Sequence, residues 1–190
     1  MPDIDKFQIG FAKQTFDNLK NFLLSQKYNT EILKQTGLLA HKPEKQSDFN
    51  SYYDRFRGRI IFPIIDEKQR VIAFGARTIT DEKPKYLNSP ASIIFDKSSC
   101  FYGLNIAYKE ILKTKLAIIA EGYTDVITMQ KFGILNVVAP LGTSITMQHL
   151  QFLKSRANKI IIAMDSDQPG RIAALRTAEM ALALIDENFT

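Results

Sequence analysis

LAIIAEGYTD (residues 116–125) and KIIIAMDSDQPG (residues 159–170) hold the two patterns from which the rest of the chain is read. Each begins with an apolar run of strand length and ends in carboxylates: Glu121 and Asp125 in the first, Asp165 and Asp167 in the second. A run such as Ile160 to Met164 is long enough for a strand buried on both faces. In an open parallel sheet, ligands bind just beyond the carboxyl ends of the strands. Two acidic strand ends meeting there face each other across one crevice, where unpaired carboxylates repel and a cation is needed. Hard oxygen donors suit Mg²⁺ or Mn²⁺. The two stretches therefore predict a divalent-metal site for phosphoryl or nucleotidyl chemistry.

Outward from these stretches the pattern alternates. NIAYKEILKTK from Asn105 reads as a helix, LAIIAEG as a strand, and YTDVITMQKFG as a helix closed by Gly133. NVVAPL is a strand, TMQHLQFLKSRA a helix capped by Ser144 or Thr146, KIIIAMDSD a strand, and PGRIAALRTAEMALALIDE a final helix with Pro169 in its first turn. Such alternation implies right-handed crossovers and a parallel sheet. Asp125 lies in the first turn of the helix after Glu121, so both can face the crevice. Gly122, the Leu141–Ser144 turn and Gly170-Arg171 add close-approach and anion-binding features at the same edge. Each of these alone is an ordinary strand-to-helix turn, and an Asp ending a strand is commonly an N-cap.

Upstream, residues 1–50 read as mostly helical. Thr15 is placed to cap TFDNLKNFLLSQ, whose Phe16, Leu19, Phe22 and Leu23 form an apolar stripe expected to enter a core. Thr30 is placed to cap TEILKQT, with Gly37 ending it in left-handed conformation, and HKPEKQSDFNS is a polar connector. RIIFPIID and RVIAFGART then switch to strand character around the turn Glu67-Lys68-Gln69, with Pro63 expected at an edge or bulge. Arg55, Arg57 and Arg59 alternate; in an extended segment they point to one face, where Arg77 can join them and guanidinium forks suit phosphate oxygens. The irregular stretch that follows carries Lys85, Tyr86, Asn88 and Lys97, a mixture of cations, a stacking ring and an amide able to hold a nucleotide or single strand. An ordinary linker is the competing reading of that stretch.

The fold class is thus α/β: an α+β N-terminal subdomain over residues 1–104, then a parallel-sheet βαβαβα subdomain over residues 105–190. Net charge is +5, from 25 basic and 20 acidic residues. Between Arg55 and Lys85 eight basic residues stand against four acidic ones, which fits a polyanion as partner. Cys100 stands alone, which excludes a disulfide framework or cysteine zinc site in these residues. His41 and His149 lie too far apart in sequence to suggest a shared metal. No run is long and apolar enough for a membrane span, and MPDIDKFQIG lacks signal-peptide character, so a cytoplasmic location is expected.

Glu121-Gly122 after one apolar strand, with Asp165-x-Asp167 after a later one, resembles the TOPRIM domain of primases, topoisomerases and some nucleases. The flanks YYDRFRGRIIFPIID, VIAFGART, PKYLNSPASIIFDKS, FYGL, EGYTDVI, LGTSIT and DSDQPGRIAA are similar, in that order, to the catalytic core of DnaG-type bacterial DNA primase. That resemblance covers essentially the whole chain. It implies that Glu121, Asp165 and Asp167 bind metal, with Asp125 as a further acidic residue of the crevice. It also implies that Arg55, Arg57, Arg59, Arg77, Lys85, Tyr86, Asn88 and Lys97 line a nucleotide and template path. The implied partners are a single-stranded DNA template, ribonucleoside triphosphates and the RNA primer. The family's zinc ribbon, its helicase-binding domain and a later PDGxDPD-type acidic motif are not among these residues, so zinc and the replicative helicase are expected only through segments outside them. The metal site is expected to be incomplete here. Another TOPRIM enzyme, a nuclease or topoisomerase-like protein, and a non-catalytic single-stranded-DNA-binding fragment are the alternatives.

Overall fold

The computed structural model describes residues 2–41, 48–142, 144–187 and 189–190. Its internal contacts divide the chain into two units: residues 2–63 with 73–95, and residues 64–72 with 96–190.

In the first unit the chain runs through α1 (Pro2–Lys6), β1 (Gly10–Ala12), α2 (Asn18–Ser25), α3 (Thr30–Gln35), β2 (Leu39–His41) and β3 (Tyr52–Asp54), then into β4 (Arg59–Ile65), β5 (Val71–Thr78) and β6 (Tyr86–Asn88). β4 and β5 are the expected hairpin, closed where the Asp66 N–H donates to the Arg70 carbonyl at 3.0 Å. The sheet order is β1-β4-β5-β6, while β2 and β3 form a separate antiparallel ribbon. β1 pairs only with Arg59 to Ile61, so Pro63 sits in β4 past the end of that pairing, where its missing donor costs no bond to β1. β6 lies inside the stretch read as irregular; three residues are too few to show a period.

Two helix starts differ from expectation. α2 begins at Asn18 and makes no bond to Thr15; its first amides, Leu19 and Lys20, donate at 2.7 and 2.9 Å to the buried carboxylate of Asp54. The cap comes from 35 residues away, which local sequence cannot announce. α3 is capped by Asn29, whose side chain accepts from the Glu31 amide at 2.8 Å, and Thr30 is its first residue. The apolar stripe of α2 enters no core: none of its residues is buried, and Phe16 and Phe22 are 59% and 56% exposed. Leu19 instead borders an apolar groove with Phe11, Phe56, Pro63 and Phe74. Residues 42–47 of the polar connector lie outside the described residues.

The second unit opens with β7 (Phe101–Tyr102), which the sequence reading lacks, and then follows the predicted alternation: α4 (Leu104–Thr114), β8 (Leu116–Ala120), α5 (Tyr123–Lys131), β9 (Val137–Pro140), α6 (Met147–Lys154), β10 (Lys159–Ala163) and α7 (Gln168–Leu182). β8, β9 and β10 are parallel and β7 is antiparallel, in the order β10-β8-β9-β7. β8 is central, with Ala117, Ile118, Ile119 and Ala120 all buried. Ile119 and Val138 pack with Ile111 of α4 and Leu150 and Leu153 of α6 in one continuous cluster. β10 is not buried on both faces as its composition suggested. It lies beyond β8 at the end of the strand order, and Ile161 remains 40% exposed. Thr190 lies against it, donating to the Asn158 carbonyl at 2.8 Å and accepting from the Ile160 amide at 2.9 Å.

Candidate functional site

β8 and β10 are parallel neighbours in register, Ala120 opposite Ala163, so the residues after them emerge side by side. Glu121 follows β8 directly and Asp165 follows β10 by two residues; both are exposed. The Asp165 amide donates to the Glu121 carboxylate at 3.1 Å, which ties the two acidic strand ends together. The other two acids turn to their own helices. Asp125, at the third position of α5, accepts the Gly122 amide at 2.8 Å. Asp167 N-caps α7, accepting the Gly170 amide through one oxygen at 2.8 Å.

Gly170 is held where no other residue fits. A Cβ there would lie 2.2 Å from the Asp165 carbonyl oxygen and 2.9 Å from its carbon. Arg171 donates from Nε to the Ser166 carbonyl at 2.9 Å. Ser166 and Asp167 are thus bonded to the start of α7, and the Asp165 backbone packs closely against Gly170. The sequence reading placed a phosphate-favouring helix start here and missed the close packing, because an ordinary φ at Gly170 leaves no turn signal.

Among the described residues no ion pair involves Glu121, Asp125, Asp165 or Asp167, and no three acidic, His or Cys side chains converge on one point. Glu121 and Asp165, exposed and without a cationic partner, make a hard-oxygen donor pair that fits a divalent cation. Asp167 has one carboxylate oxygen committed to its cap.

The first unit gathers the arginines differently from the sequence expectation. Gly58 at φ +59° breaks the extended run, and only Arg59 stands on a strand. All three arginines nevertheless line one cleft of about 220 Å³ with Tyr53, Glu82 and Lys83. They do not stand unpaired and repelling. Arg55 donates to the Asn88 carbonyl at 3.2 and 3.3 Å, and burial lowers its pKa. Arg57 donates to the Asp54 carbonyl at 2.7 Å and lies over the Phe16 and Tyr53 rings, 4.8 and 5.0 Å from their centres. Arg59, 4% exposed, donates to the carbonyls of Pro84 and Lys85. Phe16, though exposed, meets the Tyr53 ring edge to face at 6.0 Å and the Arg57 guanidinium. Arg77 pairs across the sheet with Tyr86, its guanidinium 5.7 Å from the ring centre. Lys85, Tyr86 and Asn88 are on or beside β6, and Lys97 is exposed within the Asp96–Cys100 segment of the second unit.

Comparison with known proteins bears on both units. Residues 2–108 match the family described as "DNA primase catalytic core, N-terminal domain", and residues 115–189 match "Toprim domain". A DNA primase of Clostridium acetobutylicum is 43% identical over 171 residues, which are 90% of this chain and 28% of that protein. A crystal structure of a DNA primase domain from Pseudomonas aeruginosa superposes with a TM-score of 0.87 at 37% identity, covering 98% of this chain and 57% of that one. A DnaG primase catalytic domain bound to ssDNA superposes with a TM-score of 0.85 at 37% identity, covering 99% and 57%. The chain therefore spans under a third of the Clostridium primase and little more than half of each of these solved domains.

Proposed function

Since the chain belongs to the DnaG-type DNA primase family and carries part of its catalytic core, we propose that it contributes the nucleotidyl-transfer centre for DNA-templated synthesis of short RNA primers. The observation that carries this reading is the Glu121 carboxylate held against the Asp165 backbone at adjacent parallel strand ends. Toprim domains and primase cores are metal-dependent; here Mg²⁺ or Mn²⁺ is the proposed ion. When bound, it would neutralise triphosphate charge and lower the pKa of the attacking 3′-hydroxyl. Glu121, Asp165 and Asp167 would hold it, while Asp125 keeps Glu121 in place through Gly122.

The basic residues would serve the ribonucleoside triphosphate, the single-stranded template and the RNA primer. Arg57, lying against the edge-to-face Phe16 and Tyr53 rings, and Arg55 would present guanidinium forks to phosphates in the cleft. Arg59 holds the cleft wall from inside. Arg77 and Tyr86 offer a ring-and-cation surface for a base, Lys85 and Asn88 flank it, and Lys97 supplies a cation in the second unit. On this reading residues 1–104 form the basic subdomain and residues 105–190 the TOPRIM subdomain. The protein acts in the cytoplasm, and helicase contact and zinc belong to segments outside this chain. Among the described residues no helix is long and apolar enough to cross a membrane.

The test is to incubate single-stranded DNA with ribonucleotides and Mg²⁺ or Mn²⁺, using this chain and a form extended at both ends to the length of its relatives. Primers made by the extended form and lost in its Glu121→Gln variant are the expected result. Template cutting without synthesis would point to a nuclease, and strand binding without turnover to a non-catalytic module.

A further inference from the structure

Arg171 is a cation fastened to the acidic loop itself. Its Nε donates to the Ser166 carbonyl at 2.9 Å, and Ser166 stands between Asp165 and Asp167. Gly170 brings the two together, because the first turn of α7 packs directly on the Asp165 backbone. A guanidinium carries five N–H donors, so the Nε bond fixes its plane and leaves the four donors on its two Nη atoms. Among the described residues no ion pair involves Arg171, and its side chain makes no other hydrogen bond. The residue is exposed, and it belongs with Glu121, Asp165 and Asp167 to the second unit.

Neither the helix nor the carboxylates account for this arrangement. A cation in the first turn opposes the helix dipole, so α7 gains nothing from it. An arginine present only to neutralise Asp165 or Asp167 would turn its fork onto a carboxylate, where a bidentate pair forms. Arg171 holds a carbonyl instead and pairs with neither acid. The helix start also has little backbone to offer an anion. Pro169 has no N–H, and the Gly170 and Arg171 amides donate to the Asp167 side chain and carbonyl at 2.8 and 3.0 Å. A phosphate approaching this loop therefore meets its donors on the Arg171 side chain rather than on the amides of α7.

We propose that Arg171 binds a phosphate oxygen of the nucleoside triphosphate that the acidic strand ends receive through a divalent ion. The inference rests on the metal reading of Glu121, Asp165 and Asp167. Those carboxylates repel a triphosphate where it must come nearest. A guanidinium held on the same loop offsets the repulsion at a fixed place, with a planar fork that matches phosphate oxygens. A phosphate of the template backbone offers the same chemistry. The bond to Ser166, inside the acidic motif, favours the nucleotide.

The experiment compares the 190-residue chain with its Arg171→Gln and Arg171→Lys variants in three titrations. Mn²⁺ alone is followed by electron paramagnetic resonance, ATP with Mn²⁺ by calorimetry, and a labelled oligothymidylate by anisotropy. Arg171→Gln should weaken ATP binding about tenfold or more, the scale of lost hydrogen bonds to a charged group. Its affinity for Mn²⁺ alone should hold or rise, because a cation beside the carboxylates is gone. Oligothymidylate affinity should stay within about twofold, a small change on the scale of one charged contact. Arg171→Lys should recover only part of the ATP affinity, since it keeps the charge and loses the Nε bond and the fork. Equal ATP affinity in the wild type and Arg171→Gln overturns the proposal. So does a parallel loss of Mn²⁺ affinity, which would make Arg171 a prop for the loop, and so does a loss confined to oligothymidylate, which would assign the phosphate to the template. A wild-type chain that binds no Mn²⁺ sinks the metal reading itself, and the proposal falls with it.

Discussion

At Gly170 a single missing methylene decides whether the acidic loop can form. A Cβ there would lie 2.2 Å from the Asp165 carbonyl oxygen, a backbone atom that cannot swing aside as a side-chain tip would. Gly170→Ala should therefore displace Asp165 from Glu121 and cost about 1–3 kcal/mol, as overpacking does. Thermal melts and Mn²⁺ binding by electron paramagnetic resonance would both register it; unaltered Mn²⁺ affinity would show that the loop tolerates the shift. The same scale separates the arginines. Arg59→Ala strips the Pro84 and Lys85 carbonyls of their buried donor, at about 1–3 kcal/mol of stability. Arg55 and Arg57 are half-buried and should act on binding instead. Replacing both with Ala should reduce the salt slope of single-strand binding by about 1.4, two contacts at about 0.7 each. An unchanged slope takes both out of the DNA path. Sequence showed three alternating arginines and suggested one shared role. Their division into wall and contact rests on Gly58 and on carbonyls 25 to 33 residues away, which spacing does not reveal.

Elements were legible where strand and helix each carried enough residues to show a period. β8 to α7 follow the expected alternation because each strand there holds an apolar run and two of the three helices, α6 and α7, start at a capping side chain, Thr146 and Asp167. β1, β2, β3, β6 and β7 have two or three residues each, too few for a pattern, and they exist through partners distant in sequence. α2 is the sharpest case. Its apolar stripe obeyed helical spacing, yet the helix is held by the Asp54 carboxylate at its amino end and leaves Phe16 and Phe22 exposed. Asp54→Ala should then cost about 1–2 kcal/mol, the scale of a lost N-cap, with α2 exchanging its amides faster than β4 does. Equal loss of protection in both elements would mean that Asp54 supports the sheet rather than the helix.

Across the molecule, acid should act on the second unit in two separate windows. His149, lowered by burial, sets the first. Two lowered carboxyls, Asp66 and Asp96 (the latter through bonds from the Ser98 amide and hydroxyl), set the second. Burial holds His149 below 6.5. Between that ordinary value and the lowered one, the unfolded chain binds a proton that the folded chain refuses. The contribution of His149 is complete above about pH 6.5 and is lost as pH falls below it. Burial acts to raise Asp66, but bonds from the Arg70 amide, the Arg70 guanidinium and the Lys68 amide outweigh it, leaving the carboxyl below 3.8. That contribution is complete above about pH 3.8 and fades only in stronger acid. Neither window is readable from composition: His149 is legible there only as a lone histidine, and Asp66 as the last residue of the strand RIIFPIID. Melting temperatures measured from pH 8 to pH 3 should fall first below about pH 6.5 and again below about pH 3.8. His149→Asn should flatten the first decline and keep the second, while Asp66→Asn should keep the first and shrink the second, leaving the share that belongs to Asp96. A first decline that survives in His149→Asn would assign it to another group and leave His149 without a titrating role in the fold.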